Sequence, residues 1–131
     1  MGATALCVNT MITHVKFIGV PVADPARALA FYRDQLGFAV ATDQPMGPGK
    51  RWIELRIGHS ATRVVLFTPE GHEDRIGTFF NGSIACDDVE ATVRQLAQRG
   101  VEFVELPTRQ PWGTFAKFKD SEGNVFVLSS S

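Results

Sequence analysis

The chain has 131 residues, 44% of them hydrophobic and 21% charged, enough for one globular domain or two small modules sharing a core and too few for a multidomain enzyme. A domain of this size buries roughly two thirds of its unfolded surface, so it needs neither disulfides nor a structural metal to fold. Thirteen Lys and Arg against fourteen Asp and Glu leave a net charge of -1, which provides no broad field for a phosphate backbone or an anionic membrane, so neither nucleic acid nor membrane is an expected partner.

Residues 1–11 read as a flexible N-terminal extension. The first ten carry neither a basic start nor a sustained apolar core, so no signal peptide is expected, and the periodic pattern begins only at Met11. Val15 to Val22 reads as a strand; its longest apolar run, Ile18 to Val22, is far short of the roughly 20 residues of a membrane span. Asp24 is placed as a helix N-cap with Pro25 at the first helical position, Ala28, Leu29, Tyr32 and Leu36 form an inward stripe, and Gly37 is the left-handed stop. Three strands follow, Phe38 to Thr42, Arg51 to Ile57 and Arg63 to Thr68, separated by turn chemistry at Met46–Gly49 and Gly58–Ala61. Within the turn-rich stretch Pro69 to Gly77, residues 71–77 read as a linker between a first module, 12–70, and a second, 78–131.

The second module repeats the order. Phe79 to Ala85 reads as a strand, and Asp87 with Glu90 three residues on has the spacing of a capping box. Val89, Val93, Leu96 and Ala97 form the inward stripe, Gly100 stops the helix, and Val101 to Leu106, Thr114 to Lys119 and Asn124 to Ser129 read as strands. Asp24, Ala28, Gln35 and Gly37 recur 63 residues later as Asp87, Ala91, Gln98 and Gly100. The unit is β-α-β-β-β, present twice. Cys7 and Cys86 form no Cys-x-x-Cys pair and lie near no His at zinc-finger spacing, which fits a reducing cytoplasm.

The duplication, the segment Val22-Ala-Asp24-Pro-Ala-Arg27-Ala-Leu-Ala-Phe31-Tyr32 running to Leu36-Gly37-Phe38, and the closing Phe118-Lys-Asp120-Ser-Glu-Gly123-Asn124 resemble the glyoxalase I, bleomycin-resistance protein and extradiol dioxygenase superfamily, also called vicinal oxygen chelate proteins. The resemblance covers about residues 12 to 129. It implies an α+β fold: two tandem β-α-β-β-β modules whose mixed sheets curl into one open cup, with the helices outside, the ligand inside, and a homodimer as the assembly. Enzymes of the family hold a divalent cation with four side chains, one from the first and fourth strand of each module, typically His or Gln and Glu. Counting from the matched motifs places those positions at Phe17, Leu66, Asn81 and Val127. Together they offer one weak ligand, and a slip of one residue along the last three brings in Phe80 or Gly82, Val65 or Phe67, and Phe126 or Leu128, none of which binds a metal. No metal and no other cofactor is therefore expected. His14 lies three residues from Phe17 and so on the opposite strand face, and His59 sits in a turn. His72-Glu-Asp74 reads as a solvated loop, with a proton relay over the cup as the alternative.

Strand alternation assigns Ile53, Leu55, Ile57, Ala116 and Phe118 to the helix side, together with Ile18, Val20, Ile84, Phe126 and Leu128. The expected cup lining is Phe17, Trp52, Glu54, Arg56, Val64, Leu66, Asn81, Ser83, Phe115, Lys117, Val125 and Val127, with Trp112 overhanging the rim. An apolar, aromatic floor with a few polar groups has the composition of an organic-ligand site. Trp52 or Trp112 can stack a planar ligand or a cation at about 0.5–2 kcal/mol; packing in a dimer is the competing use of Trp52 and Phe115. Glu54 opposite Lys117 or Arg56 can bind a zwitterion, act as a general base if desolvation raises its pKa, or form only a cross-strand ion pair. The expected function is metal-independent binding of a small aromatic or cationic compound. The alternative is a glyoxalase-like lyase or isomerase, or a dioxygenase, with Glu54 as the base. Bleomycin-resistance proteins are typically acidic, and a charge of -1 departs from that trend.

Overall fold

The structure is a computed structural model and describes residues 11–130. The expected N-terminal extension, Met11 apart, lies outside the described residues, as does Cys7. Strands β1 (Phe17–Pro21), β2 (Ala39–Pro45), β3 (Arg51–Arg56) and β4 (Arg63–Phe67) form one sheet in the order β1-β4-β3-β2. Strands β5 (Gly82–Cys86), β6 (Glu102–Gln110), β7 (Gly113–Lys119) and β8 (Val125–Ser130) form a second sheet in the order β5-β8-β7-β6. In each sheet the first strand runs parallel to the fourth and the remaining pairs are antiparallel. Helix α1 (Pro25–Ala30) follows β1 and helix α2 (Val89–Gln98) follows β5. The chain is thus an α+β fold of two tandem β-α-β-β-β modules whose mixed sheets do not close. No helix among the described residues is long and apolar enough to cross a membrane.

The local signals act through identifiable hydrogen bonds. Asp24 Oδ1 accepts from the Arg27 amide at 3.1 Å, with Pro25 opening the helix. Helix α1 runs directly into a π-helical turn, Phe31–Gln35, in which the Leu36 amide reaches back to the Phe31 carbonyl at 3.2 Å. The adjacent rings of Phe31 and Tyr32 are both buried there, 5.2 Å apart and edge to face. Gly37 then leaves the helix at φ +82°, a conformation that costs glycine little. Helix α2 is capped by Asp88, not by Asp87 as the capping-box spacing suggests: Asp88 is the residue with extended backbone, and its Oδ1 accepts from the Ala91 amide at 3.0 Å. Ala97, expected on the inward stripe, is exposed, and Leu36 is only half-buried.

Strand ends depart from the expected ones where a residue cannot serve a ladder. Strand β5 starts at Gly82, later than the expected Phe79, and Phe80 folds over Gly82 so closely that a Cβ there would stand 2.6 Å from the ring. Strand β6 runs on to Gln110 through Pro107, and its pairing with β7 shifts register between Glu105 and Thr108, as a residue without an amide hydrogen requires.

One continuous core serves both modules. It contains Val20, Tyr32, Ile53 and Leu66 from the first and Val93, Phe118, Phe126 and Leu128 from the second. Phe118 and Phe126 stack at 5.3 Å, and Tyr32 meets Phe126 edge to face at 6.1 Å. Leu66 and Val64, expected in the cup, belong to this core. Strand β4 pairs Leu66 with Ile53 and Val64 with Leu55, and residues paired across a ladder share a sheet face. Val65, opposite Glu54, is the one that faces the open side.

The modules are tied by a buried polar cluster. Tyr32 donates its hydroxyl hydrogen to Asp120 Oδ2 at 2.6 Å, and Asn124 Nδ2 donates to the same oxygen and to the Pro21 carbonyl, each at 2.9 Å. Asp120 Oδ1 accepts from the Glu122 and Asn124 amides at 2.8 and 2.9 Å. Burial first, and then the Asp120 carboxyl, push the Tyr32 hydroxyl well above its ordinary value of 10.0. Its stabilising contribution is therefore complete below that pH and lost as pH rises through the folded-state value. Tyr32→Phe should cost about 1–3 kcal/mol at neutral pH, and the gap from wild type should narrow in alkali. Urea denaturation across pH reads this; because Tyr32 is the only tyrosine, phenolate absorbance reports its ionisation alone.

Candidate functional site

Helices α1 and α2 occupy one face of each sheet, so the site is sought on the opposite, open faces. On the first sheet the ladders place Phe17 beside Arg63, Gly19 beside Val65 and Pro21 beside Phe67, with Trp52, Glu54 and Arg56 alternating out of strand β3. Phe17 meets Trp52 edge to face at 5.8 Å. Trp52 Nε1 donates to Glu54 Oε2 at 2.7 Å, and Arg63 Nη1 donates to Glu54 Oε1 at 2.8 Å. These hydrogen bonds, from Trp52 foremost and then Arg63, hold the Glu54 carboxyl below the usual glutamate value. That direction is opposite to the one a general base working at neutral pH requires. Arg56 is exposed at the strand end, and the partner of Glu54 is Arg63, not Arg56 or Lys117.

On the second sheet Ser83, Val127, Lys117 and Glu105 stand side by side on strands β5, β8, β7 and β6. Lys117 Nζ lies 3.7 Å from Glu105 Oε1. Trp112, 65% exposed, stacks on Phe115 at 5.6 Å with 24° between the ring planes. Among the described residues no hydrogen bond, ion pair or ring contact joins this group to the Phe17–Trp52–Glu54 group. The expected lining therefore exists as two half-sites, one on each sheet.

A cavity of about 510 Å³ opens beside the first half-site. Gly19, Pro21 and Phe67 form its wall on strands β1 and β4, Pro69 follows β4, His72 and Arg75 contribute from the linker, and Phe79, Phe80 and Asn81 come from the segment entering β5. The Phe67 ring lies against strand β1 because residue 19 has no side chain: a Cβ there would stand 3.0 Å from the ring. Of the residues expected from sequence to bind ligand, only Asn81 lines this cavity. Phe67, Phe79 and Phe80 were legible as apolar but carried no positional signal, since two lie in irregular backbone where alternation does not apply.

The residues at the family's metal positions do not suit a divalent cation. The positions that the resemblance implies, Phe17, Leu66, Asn81 and Val127, together supply one amide oxygen, and Val65, which faces the open side instead of Leu66, adds none, whereas an ion must exchange its bound waters for several oxygen, nitrogen or sulfur ligands. Among the described residues no three His, Cys, Asp or Glu side chains converge. His14 bonds its neighbour Thr13 at 2.9 Å, and His59 is exposed in its turn.

Comparison with known proteins bears on this arrangement. Residues 12–128 match the family model described as Glyoxalase/Bleomycin resistance protein/Dioxygenase superfamily. The uncharacterized protein YetH of Bacillus subtilis (strain 168) is 35% identical over 90% of this chain and 98% of its own length. The crystal structure of TnmS3, an antibiotic binding protein from Streptomyces sp. CB03234, is 34% identical over 92% of this chain and 98% of its own, with a TM-score of 0.82. That of UcmS2 is 34% identical over 92% of this chain and all of its own, with a TM-score of 0.83.

Glu54 yields a test at this site. With its folded-state pKa depressed, it contributes stability above the ordinary value of 4.5 that is lost as pH falls. Carboxyl NMR should place its titration below that value, and Glu54→Gln should be less stable than wild type at neutral pH but not in acid. A midpoint above the ordinary value would reinstate the general base.

Proposed function

This chain belongs to the Glyoxalase/Bleomycin resistance protein/Dioxygenase superfamily, and we propose that within it the protein is a metal-independent binder that sequesters a small aromatic compound. The observation that carries this reading is the 510 Å³ cavity with its Phe67, Phe79 and Phe80 lining, a size and character suited to a drug-sized ring system. Phe79 is 69% exposed, an apolar surface that an incoming ring would cover. The name of TnmS3 as an antibiotic binding protein supports the same class of activity. Glu54 is already bridged to Arg63 and Trp52, so ring stacking rather than attraction of a cation drives affinity. Glu54 does not serve as a general base, since hydrogen bonds from Trp52 and Arg63 lower its basicity and occupy both oxygens.

The assembly is a homodimer in which each half-site on one subunit faces the complementary half-site of the other. Trp52 with Phe17, and Trp112 with Phe115, supply the rings at that junction. The protein works in the cytoplasm, where Cys86, half-buried and unpaired among the described residues, stays reduced.

Titration of Trp fluorescence against a panel of aromatic metabolites and antibiotics tests the function. Saturable quenching is expected, unchanged by a chelator and retained in Glu54→Gln, with less than stoichiometric metal by elemental analysis of protein purified without added metal. Stoichiometric nickel, zinc, iron or manganese, or turnover abolished by Glu54→Gln with affinity intact, would replace binding by catalysis. Light scattering should give twice the chain mass, and a monomer would remove the shared cleft.

A further inference from the structure

The cavity's electrostatics single out a ligand class. Its linker wall carries two nitrogen-bearing side chains, Arg75 and His72, and no acidic side chain lines it. The Arg75 guanidinium lies over the Phe79 ring, 5.7 Å from the centroid. The contact is a cation–π attraction, and among the described residues the Arg75 side chain makes no hydrogen bond or ion pair, so its N–H donors are not engaged by those residues. Of the nearby carboxylates, Glu70 is bound to Lys50, and Glu73 and Asp74 are exposed and do not line the cavity.

The segment that presents Arg75 is fixed in place. The Arg75 amide donates to the His72 carbonyl at 3.0 Å, and the Arg75 carbonyl accepts from the Thr78 hydroxyl at 2.6 Å. Two residues on, the Gly77 amide donates to Asn124 Oδ1 at 3.2 Å, which anchors the linker to the cluster joining the modules. Gly77 has φ +80°, and a Cβ there would stand 2.7 Å from the Glu122 carbonyl oxygen, so this close approach depends on glycine. The guanidinium is therefore carried on an ordered rim above an aromatic floor.

We infer that the cavity selects an aromatic anion, a ring system bearing a carboxylate or similar acidic group, with its rings against Phe67 and Phe79 and its anion on the Arg75 guanidinium and the His72 imidazole. This rests on the binding function proposed above and adds the charge of the ligand. A guanidinium offers a carboxylate two parallel N–H donors, and close to an apolar wall such a pair is less screened than in open water.

Naphthoate, naphthylmethanol and naphthylmethylammonium have nearly the same size and differ in charge, and calorimetric titration of each into the protein tests the inference. Naphthoate should bind about tenfold more tightly than the ammonium compound. Arg75→Gln should abolish that preference while leaving the alcohol's affinity unchanged, and Arg75→Lys should restore only part of it. Phe67→Ala should weaken all three. Because Arg75 is exposed and bonds no other side chain, its replacement leaves the fold in place. Equal affinities that all fall in Phe67→Ala, or tighter binding of the ammonium compound, would overturn the charge selection and leave the binding function standing. Failure of all three to bind would overturn both.

Discussion

The architecture turns on the contact between the Tyr32 hydroxyl and the Asp120 carboxyl. Each sheet buries one face toward its own helix, and the two modules share one core. The closing turn of the second module supplies the join: Asp120 accepts from Tyr32 and from two amides of its own turn, while Asn124 reaches across to the Pro21 carbonyl at the end of β1. Asn124 is fully buried and Asp120 nearly so, which is tolerable only because their polar atoms find partners. The Asp24 amide adds a further link by donating to Glu122 at 2.9 Å.

That join also governs the functional surface. Asn124, through the Gly77 amide, extends the cluster into the linker, and the linker forms one wall of the aromatic cavity. The same two or three side chains thus fix the orientation of the modules and the position of Arg75 and Phe79. Below the cavity, Gly19 admits the Phe67 ring onto strand β1. An aromatic pocket arises at the seam because small residues on one element let large residues of another lie flat.

The contrast between the two half-sites follows from their charges. On the first sheet Glu54 is bridged by Trp52 and Arg63, and the Phe17 ring meets Trp52 beside it. On the second sheet Lys117 and Glu105 stand farther apart, at 3.7 Å and partly exposed, an arrangement worth about 0–1 kcal/mol.

Much of this was legible in the sequence because it is local. Period-two alternation in β3 separated Ile53 and Leu55 from Trp52 and Glu54, Asp24 and Gly37 bounded the first helix, and the echo of that helix in the second module exposed the duplication. What tertiary structure decided was register and partnership. An apolar run such as Val64 to Phe67 has no alternation to show which residues face inward, and only pairing with β3 put Leu66 in the core and Val65 on the open side. Glu54 took Arg63 as its partner because strands β3 and β4 are neighbours, whereas Lys117 lies in the other sheet. The cavity was hidden for the same reason. Its walls come from residues up to 62 positions apart, from Gly19 to Asn81, in part on strands β1 and β4 and in part on irregular backbone that has no pattern of its own.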